Sequence, residues 1–261
     1  MADISIILTS HNKPVLVKEA VQSVLDQAFK NWELVLIDSG VLLSQGFFDY
    51  LKDPRVRVLP SGENAELART KNMASWCFNN ALNSGQLTGE LIMYLNDDDL
   101  LYPEAFATYW NYYLENRREP QAMYASQDIG LVGRDGSTRI IGKRIADRPA
   151  GKHCKGRKMD CQVDYLQFCH TRAVLEKLKA AGHPARIHSE DKRDAWHADG
   201  VFMEQVGALT EVHPINKFLS MNRRTAGSTN LGYSDSRAGR FLILVKEKFK
   251  GLRRRLTASR R

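Results

Sequence analysis

The 261-residue chain has only four cysteines, and none of them forms a CxxC pair. Cys154, Cys161 and Cys169 lie near His153 and His170, so zinc is one alternative. Their spacing fits no usual finger or ribbon, however. We therefore expect reduced thiols, as in most proteins that are not secreted.

Long apolar runs are also absent. No window approaches the ~20 apolar residues that a membrane-spanning helix needs. The first residues, "MADISIILTSHN", lack the basic lead of a signal peptide, and their apolar run has only the length of a strand. The sequence therefore predicts a cytoplasmic protein.

Excess positive charge is lacking outside the C-terminus, although the net charge is +8. Residues 240–261 carry nine Lys or Arg and one Glu, and the rest of the chain balances at 29 basic and 29 acidic groups. We therefore expect no specific nucleic-acid binding by the body. The tail, residues 236–261, predicts a basic amphipathic helix with apolar positions four or three residues apart. Peripheral contact with an anionic inner membrane face is one interpretation, and packing on the body or on a partner subunit is the other.

Strand and helix patterns alternate from residue 3 to about 117. This alternation predicts an α/β fold with a mostly parallel central sheet and helices on both faces. Ligands of such sheets bind beyond the carboxyl ends of the strands. Three strands end in polar clusters, at Thr9 to Asn12, Asp38 to Gly40 and Asn96 to Asp99. We expect these clusters to meet at one rim, and the second half to be less regular.

The segment "LIMYLNDDDLLYP", residues 91–103, places three adjacent aspartates between apolar runs. Their mutual repulsion requires either a cation or full solvation. A hard cation such as Mg²⁺ or Mn²⁺ prefers oxygen ligands and often binds one or two carboxylates together with substrate phosphates. A solvated acidic turn before the helix at Pro103 is the alternative.

Two segments together carry a resemblance to a known family. "ISIILTSHNKPVLVKEAVQSVLDQAFKNWELVLID" followed by "GELIMYLNDDDLLYP" resembles the nucleotide-diphospho-sugar transferases of glycosyltransferase family 2, most of all those of spore-coat polysaccharide synthesis. The resemblance implies the GT-A fold and inverting transfer. It also implies one domain over residues 1–235, with a nucleotide-sugar-binding half at 1–117 and an acceptor-binding half at 118–235.

The resemblance implies a set of nucleotide-binding residues, which are Thr9, His11, Asp38, Arg69 and Asp97. Within the acidic motif, Asp98 is implied as the principal ligand of Mn²⁺ or Mg²⁺, and Asp99 as its support. Three positions depart from the family pattern: Ser39 and Asn96 replace common aspartates, and Thr225 replaces a common histidine.

Asp199, in "WHADGVFMEQ", matches the family's catalytic base. The residues alone favour a carboxylate at a helix N-terminus, and the resemblance favours catalysis. Asp164, Arg223 and Arg224 are possible acceptor or phosphate contacts.

The implied activity is transfer of a sugar from a UDP- or dTDP-sugar to a hydroxyl of a glycan or other acceptor, in polysaccharide or surface glycan synthesis. Two alternatives stay open. One is an inactive GT-A-like scaffold with a membrane-binding or polyanion-binding tail, and the other is a nucleotidyltransferase.

Overall fold

The computed structural model describes residues 1–62, 70–133, 135–160, 162–183, 189–191, 193 and 197–225. Arg69, Cys161 and the predicted tail helix at 236–261 lie outside the described residues. Their roles, and the boundary of the predicted domain at 235, stay predictions. Within the described ranges, no helix has the length and apolar character needed to cross a membrane.

The first half of the chain builds a four-stranded parallel sheet. Its strands are β1 (Ile4–Ser10), β2 (Trp32–Asp38), β3 (Val56–Pro60) and β4 (Leu91–Asn96), and they lie in the order β3-β2-β1-β4. β1 and β2 are buried along their whole length, which explains why they are nearly continuous apolar runs. Their carboxyl ends, with the three polar clusters, lie at one rim.

The second half extends this sheet. It adds β5 (Leu100–Leu101), β6 (Ala122–Val132), β7 (Thr138–Arg144), β8 (Phe168–Thr171) and β9 (Val212–Arg224). The full order is β3-β2-β1-β4-β8-β6-β9-β5, with β7 paired to β6. β8 is antiparallel to both β4 and β6, and β9 is parallel to β6. The last residues of β4, β6 and β9 therefore point to the same rim.

Helices cover both faces of the sheet. They are α1 (Pro14–Leu25), α2 (Met73–Asn83), α3 (Ala105–Glu115), α4 (Arg172–Ala180) and α5 (Ala198–Leu209). One apolar cluster packs α1 and α3 on one face, and a second packs α2, α4 and α5 on the other. Helices on two faces confirm the predicted α/β class, in which each helix buries one apolar stripe against the sheet.

The irregular second half contains the two longest strands among the described residues. β6 has 11 residues and β9 has 13. The sequence of β9, "VHPINKFLSMNRR", has no clean alternation, and its burial is mixed. Its pairing with β6 shifts register between Ala125 and Gln127. A bulged strand of this kind lacks the regular alternation of apolar and polar residues by which a strand is recognised in a sequence.

Two loops at the rim are locked to each other. Asn12 adopts a left-handed backbone with φ of 54°, and its Oδ1 accepts a hydrogen bond from the backbone N–H of Val41 at 2.9 Å. A Cβ at Gly40 would lie 2.2 Å from that oxygen, so any other residue would displace the Asn12 side chain. The backbone N–H of Ser39 also donates to the carbonyl of Ser10 at 2.9 Å. The ends of β1 and β2 are therefore held together.

Candidate active site

The acidic motif at the end of β4 is contacted by a lysine of the β1–α1 loop. The Lys13 ammonium donates to Oδ1 of Asp97 at 2.8 Å and to Oδ2 of Asp98 at 2.9 Å. Oδ2 of Asp97 accepts the backbone N–H of His11 at 2.8 Å. Burial alone would lower the pKa of Lys13, but the charges of Asp98 and Asp97 outweigh it and raise that pKa. The chain itself therefore supplies one positive charge at the acidic motif.

Asp99 points away from its two neighbours and toward β9. It is 1% exposed, and its carboxylate accepts the backbone N–H of Arg223 at 2.8 Å and the side-chain amide of Asn222 at 3.2 Å. Burial raises its pKa, and the charges of Asp98 and Asp164 raise it further. Asp99 thus ties the acidic turn to the last strand, and its implied support of a metal stays a prediction.

Arg223 fixes the same turn from the other side. Its Nε donates to the carbonyl of Asp98 at 2.5 Å, and its guanidinium forms an ion pair with Glu19 of α1. Arg223 and Arg224 are both buried. The guanidinium of Arg223 is therefore already engaged by the protein, and the phosphate contacts implied for both arginines stay predictions.

The residues implied for nucleotide binding gather at the same rim. Oγ1 of Thr9 lies 3.4 Å from Oδ1 of Asn96, which links the ends of β1 and β4. Asp38 is buried, and its Oδ2 accepts the backbone N–H of Leu43 at 3.0 Å. His11 is exposed, with Nδ1 3.1 Å from Oγ of Ser39. An exposed ring thus stands between the ends of β1 and β2.

A second group of polar side chains lies where β6, β7 and the segment before β8 meet. Asp164 accepts the backbone N–H of Leu166 at 3.1 Å and the side-chain amide of Gln127 at 3.0 Å. It also forms an ion pair with Arg144. Arg144 and Gln127 are partners across β6 and β7. Neither residue could be found from the sequence, because only the register of that hairpin brings them to Asp164.

Asp199 lies in the first turn of α5 and is half-buried. Its Oδ1 accepts the backbone N–H of Gly200 at 2.8 Å. Burial, followed by the charge of Asp164, raises the pKa of Asp199 to about 6, although Arg144 opposes the shift. The charge of Asp164 also acts on Asp99. The carboxylate of Asp164 therefore lies close enough to act on both Asp99 and Asp199.

The start of α5 is held by a close approach to the segment before it. A Cβ at Gly200 would lie 2.3 Å from Oδ1 of Asp160 and 3.0 Å from its Cα. Glu204 accepts the backbone N–H groups of Met159 and Asp160 at 2.7 and 3.2 Å. These contacts fix the first turn of α5 and with it the position of Asp199.

The donor set at the acidic motif suits a hard cation. Two carboxylate oxygens, from Asp97 and Asp98, converge on the single Lys13 nitrogen within 2.9 Å. Two carboxylates together with substrate phosphates are a usual set for Mg²⁺. In the described parts of the chain, no group of three or more His, Cys, Asp or Glu side chains is arranged to hold a metal. A divalent cation fits here once Lys13 leaves and a diphosphate supplies further oxygens.

The same finding bears on the zinc alternative, since it covers the cysteines that the structure describes. Cys154 donates to the carbonyl of Ala150, and Cys169 is buried in β8, where burial raises the pKa of its thiol. Neither belongs to a zinc site among the described residues. The reduced state of the thiols stays a prediction, since Cys161 lies outside the described residues.

The fold places the protein in a structural class. Solved structures of the GT-A fold share the arrangement of strands and helices seen in this chain. The structure of Staphylococcus aureus TarS 1–349 in complex with UDP-GlcNAc matches with a TM-score of 0.62 and 15% identity, over 87% of this chain and 60% of that chain. The mannosyltransferase PcManGT from Pyrobaculum calidifontis, in complex with GDP-Man and Mn²⁺, matches with a TM-score of 0.53 and 14% identity, over 87% and 58% of the two chains. The predicted GT-A fold is confirmed.

Sequence comparison adds the family. The profile described as Glycosyl transferase family 2 matches residues 5–119. These residues are therefore a glycosyltransferase family 2 domain, as the resemblance predicted. Protein CgeD of Bacillus subtilis (strain 168) is 28% identical over 234 residues, which cover 88% of this chain and 52% of CgeD. The putative glycosyltransferase EpsE of the same strain is 30% identical over 105 residues, which cover 38% of this chain and 34% of EpsE. The chain thus spans about half the length of the first relative and a third of the second.

Proposed function

We propose that this chain is an inverting glycosyltransferase that moves a sugar from a UDP- or dTDP-sugar to a hydroxyl of a glycan or other acceptor, in polysaccharide or surface glycan synthesis. The observation that carries the proposal is the raised basicity of the Asp199 carboxylate. This carboxylate has a pKa raised to about 6 in a family 2 glycosyltransferase fold. A basic carboxylate near an acidic nucleotide-binding rim is the arrangement that this reaction needs.

Asp199 is the proposed general base. With a pKa of about 6 it is mostly ionised at neutral pH, yet more basic than an ordinary aspartate. It accepts the proton of the acceptor hydroxyl while that oxygen attacks the anomeric carbon. A single displacement without a covalent intermediate inverts this carbon. Asp164 contributes the negative charge that raises the basicity of Asp199, and Arg144 holds Asp164 in place.

Thr9, His11, Asp38 and Asp97 are the proposed nucleotide contacts at the rim. The exposed ring of His11 suits stacking on a base. Support for a pyrimidine comes from the TarS structure with UDP-GlcNAc, whereas the PcManGT structure holds GDP-Man. The preference for a pyrimidine donor is therefore a point for experiment.

Asp98 is the proposed principal ligand of Mn²⁺ or Mg²⁺, with Asp99 as its support and the nucleotide contact Asp97 beside it. When bound, such a cation neutralises developing charge on a diphosphate leaving group. The chain's own part is to present two carboxylate oxygens at one point, beside the sites proposed for the nucleotide. The Mn²⁺ of the PcManGT structure supports the use of a divalent cation.

A donor screen with an Asp199→Asn variant tests the proposal. UDP- and dTDP-sugars are incubated with the protein and a panel of hydroxyl acceptors, with and without Mn²⁺, and nucleoside diphosphate release and transfer product are measured. We expect Asp199→Asn to abolish transfer while UDP binding, followed by calorimetry, is retained. Glu176→Gln, an exposed carboxylate on α4, is the matched control and should keep full activity.

Equal transfer by Asp199→Asn and the wild-type protein would remove Asp199 from this role. Tight UDP binding without any turnover by the wild-type protein would favour an inactive scaffold. Release of pyrophosphate from a nucleoside triphosphate and a sugar phosphate would favour a nucleotidyltransferase.

A further inference from the structure

The backbone of Lys13 is held in place, whereas its side chain can move away from the two aspartates. Its carbonyl accepts the first α1 hydrogen bond, from the backbone N–H of Val17 at 2.9 Å, and Pro14 opens the helix behind it. The Lys13 side chain is 35% exposed. The Cα is therefore anchored, while the four-carbon side chain can move toward solvent.

The two carboxylates that Lys13 contacts are much less exposed. The side chains of Asp97 and Asp98 are 7% and 14% exposed. Two ionised carboxylates at this burial repel each other unless a cation lies between them. One ammonium offsets one of the two negative charges.

A divalent cation and the Lys13 ammonium cannot share these oxygens. Both would have to lie within about 3 Å of the same two atoms, where like charges repel strongly. A metal bound to Oδ1 of Asp97 and Oδ2 of Asp98, the two oxygens that Lys13 contacts, must therefore displace Lys13. Displacement costs the two charge-assisted hydrogen bonds, so the metal alone should bind weakly.

We propose that the Lys13 ammonium occupies the metal position of the donor site until a nucleoside diphosphate binds. Metal and diphosphate then bind together, and the displaced ammonium turns to the added negative charge of the diphosphate. This inference rests on the proposed donor site at the acidic motif. Lys13 is thus a positioning residue that makes metal binding depend on the nucleotide.

Direct measurement of Mn²⁺ binding tests this role. Electron paramagnetic resonance counts free Mn²⁺ during titration of the full chain, first without nucleotide and then with UDP. We expect Lys13→Met to bind Mn²⁺ alone roughly tenfold or more tightly than the wild type, because the competing charge is gone. We expect UDP to tighten Mn²⁺ binding to the wild type strongly, and to the variant much less.

Three variants control the experiment. Lys18→Met removes the same charge from an exposed position on α1 and should leave Mn²⁺ binding unchanged. Lys13→Arg keeps the charge and should bind Mn²⁺ as weakly as the wild type. Lys13→Gln is a second neutral variant in case the methionine variant does not fold, and circular dichroism checks each one.

The outcomes separate this inference from the proposed function. If neither neutral variant binds Mn²⁺ more tightly than the wild type, the role of Lys13 is overturned even where transfer is detected. If the neutral variants bind more tightly and Asp98→Asn in that background abolishes the gain, the role stands even where no sugar transfer is found.

Discussion

Replacing Asp199 by asparagine is expected to stabilise the fold at neutral pH while it removes the proposed base. The folded-state pKa is about 6 against an ordinary value of 3.8, so the ionised form is disfavoured by folding. The wild-type protein therefore loses stability as the pH rises from below 3.8 through about 6. The asparagine variant carries no such charge.

The size of the effect follows from the pKa shift. A shift from 3.8 to about 6 corresponds to a ceiling of about 3 kcal/mol at pH 8, of which about 1.6 kcal/mol is already present at pH 5. Since Asp199 is half-buried, solvent screening reduces both figures. The gain of the variant should therefore grow between pH 5 and pH 8 by about 1 kcal/mol.

Urea unfolding of both proteins at pH 5, 6, 7 and 8 measures this difference. Comparison of variant with wild type cancels the titration of the other buried carboxylates to first order. Glu176→Gln, whose side chain is 70% exposed, should show no dependence on pH. A stability difference for Asp199→Asn that is flat across this range, or a loss at every pH, would refute the reasoning.

Three further predictions concern the surroundings of the site. Asp164→Asn should move the acid limb of the pH profile of transfer to lower pH, because its charge helps to raise the pKa of Asp199; an unmoved limb would contradict this. Gly200→Ala should cost about 1–3 kcal/mol in the free energy of unfolding and lower kcat, since the added methyl would meet a carboxylate oxygen at 2.3 Å. Thermal melts and initial rates measure these two effects. An unchanged melting temperature would count against the close approach. Arg223→Met should cost about 1–3 kcal/mol in urea unfolding, because the carbonyl of Asp98 loses its donor; a neutral result would show that Arg223 does not hold the acidic turn.

The rim of the site could be predicted from the sequence. Each of β1, β2 and β4 ends in polar residues, and parallel strands joined by helices bring such ends to one edge. Thr9, Asp38 and Asp97 meet there because each lies at the end of an apolar run that forms a buried parallel strand. For the acidic motif the sequence left two interpretations, a bound cation or a solvated turn.

The identity of the positive group at the acidic motif could not be predicted. Lys13 is 84 positions away from Asp97 in the sequence, and nothing in the pattern shows which way its side chain turns. The contact of Asp99 with β9 could not be predicted for a similar reason, because the sequence of β9 lacks the alternation that identifies a strand. Long-range pairings of this kind depend on register and side-chain direction, which sequence periodicity does not encode.

The most direct test of the account is a crystal structure of the protein with UDP and Mn²⁺. The account predicts the base beside Thr9 and His11, the Mn²⁺ between the diphosphate and Asp98, and the Lys13 ammonium withdrawn from both aspartates. Nucleotide bound away from the carboxyl ends of β1 and β4, or Lys13 still paired with Asp97 and Asp98 beside an ordered UDP, would contradict it.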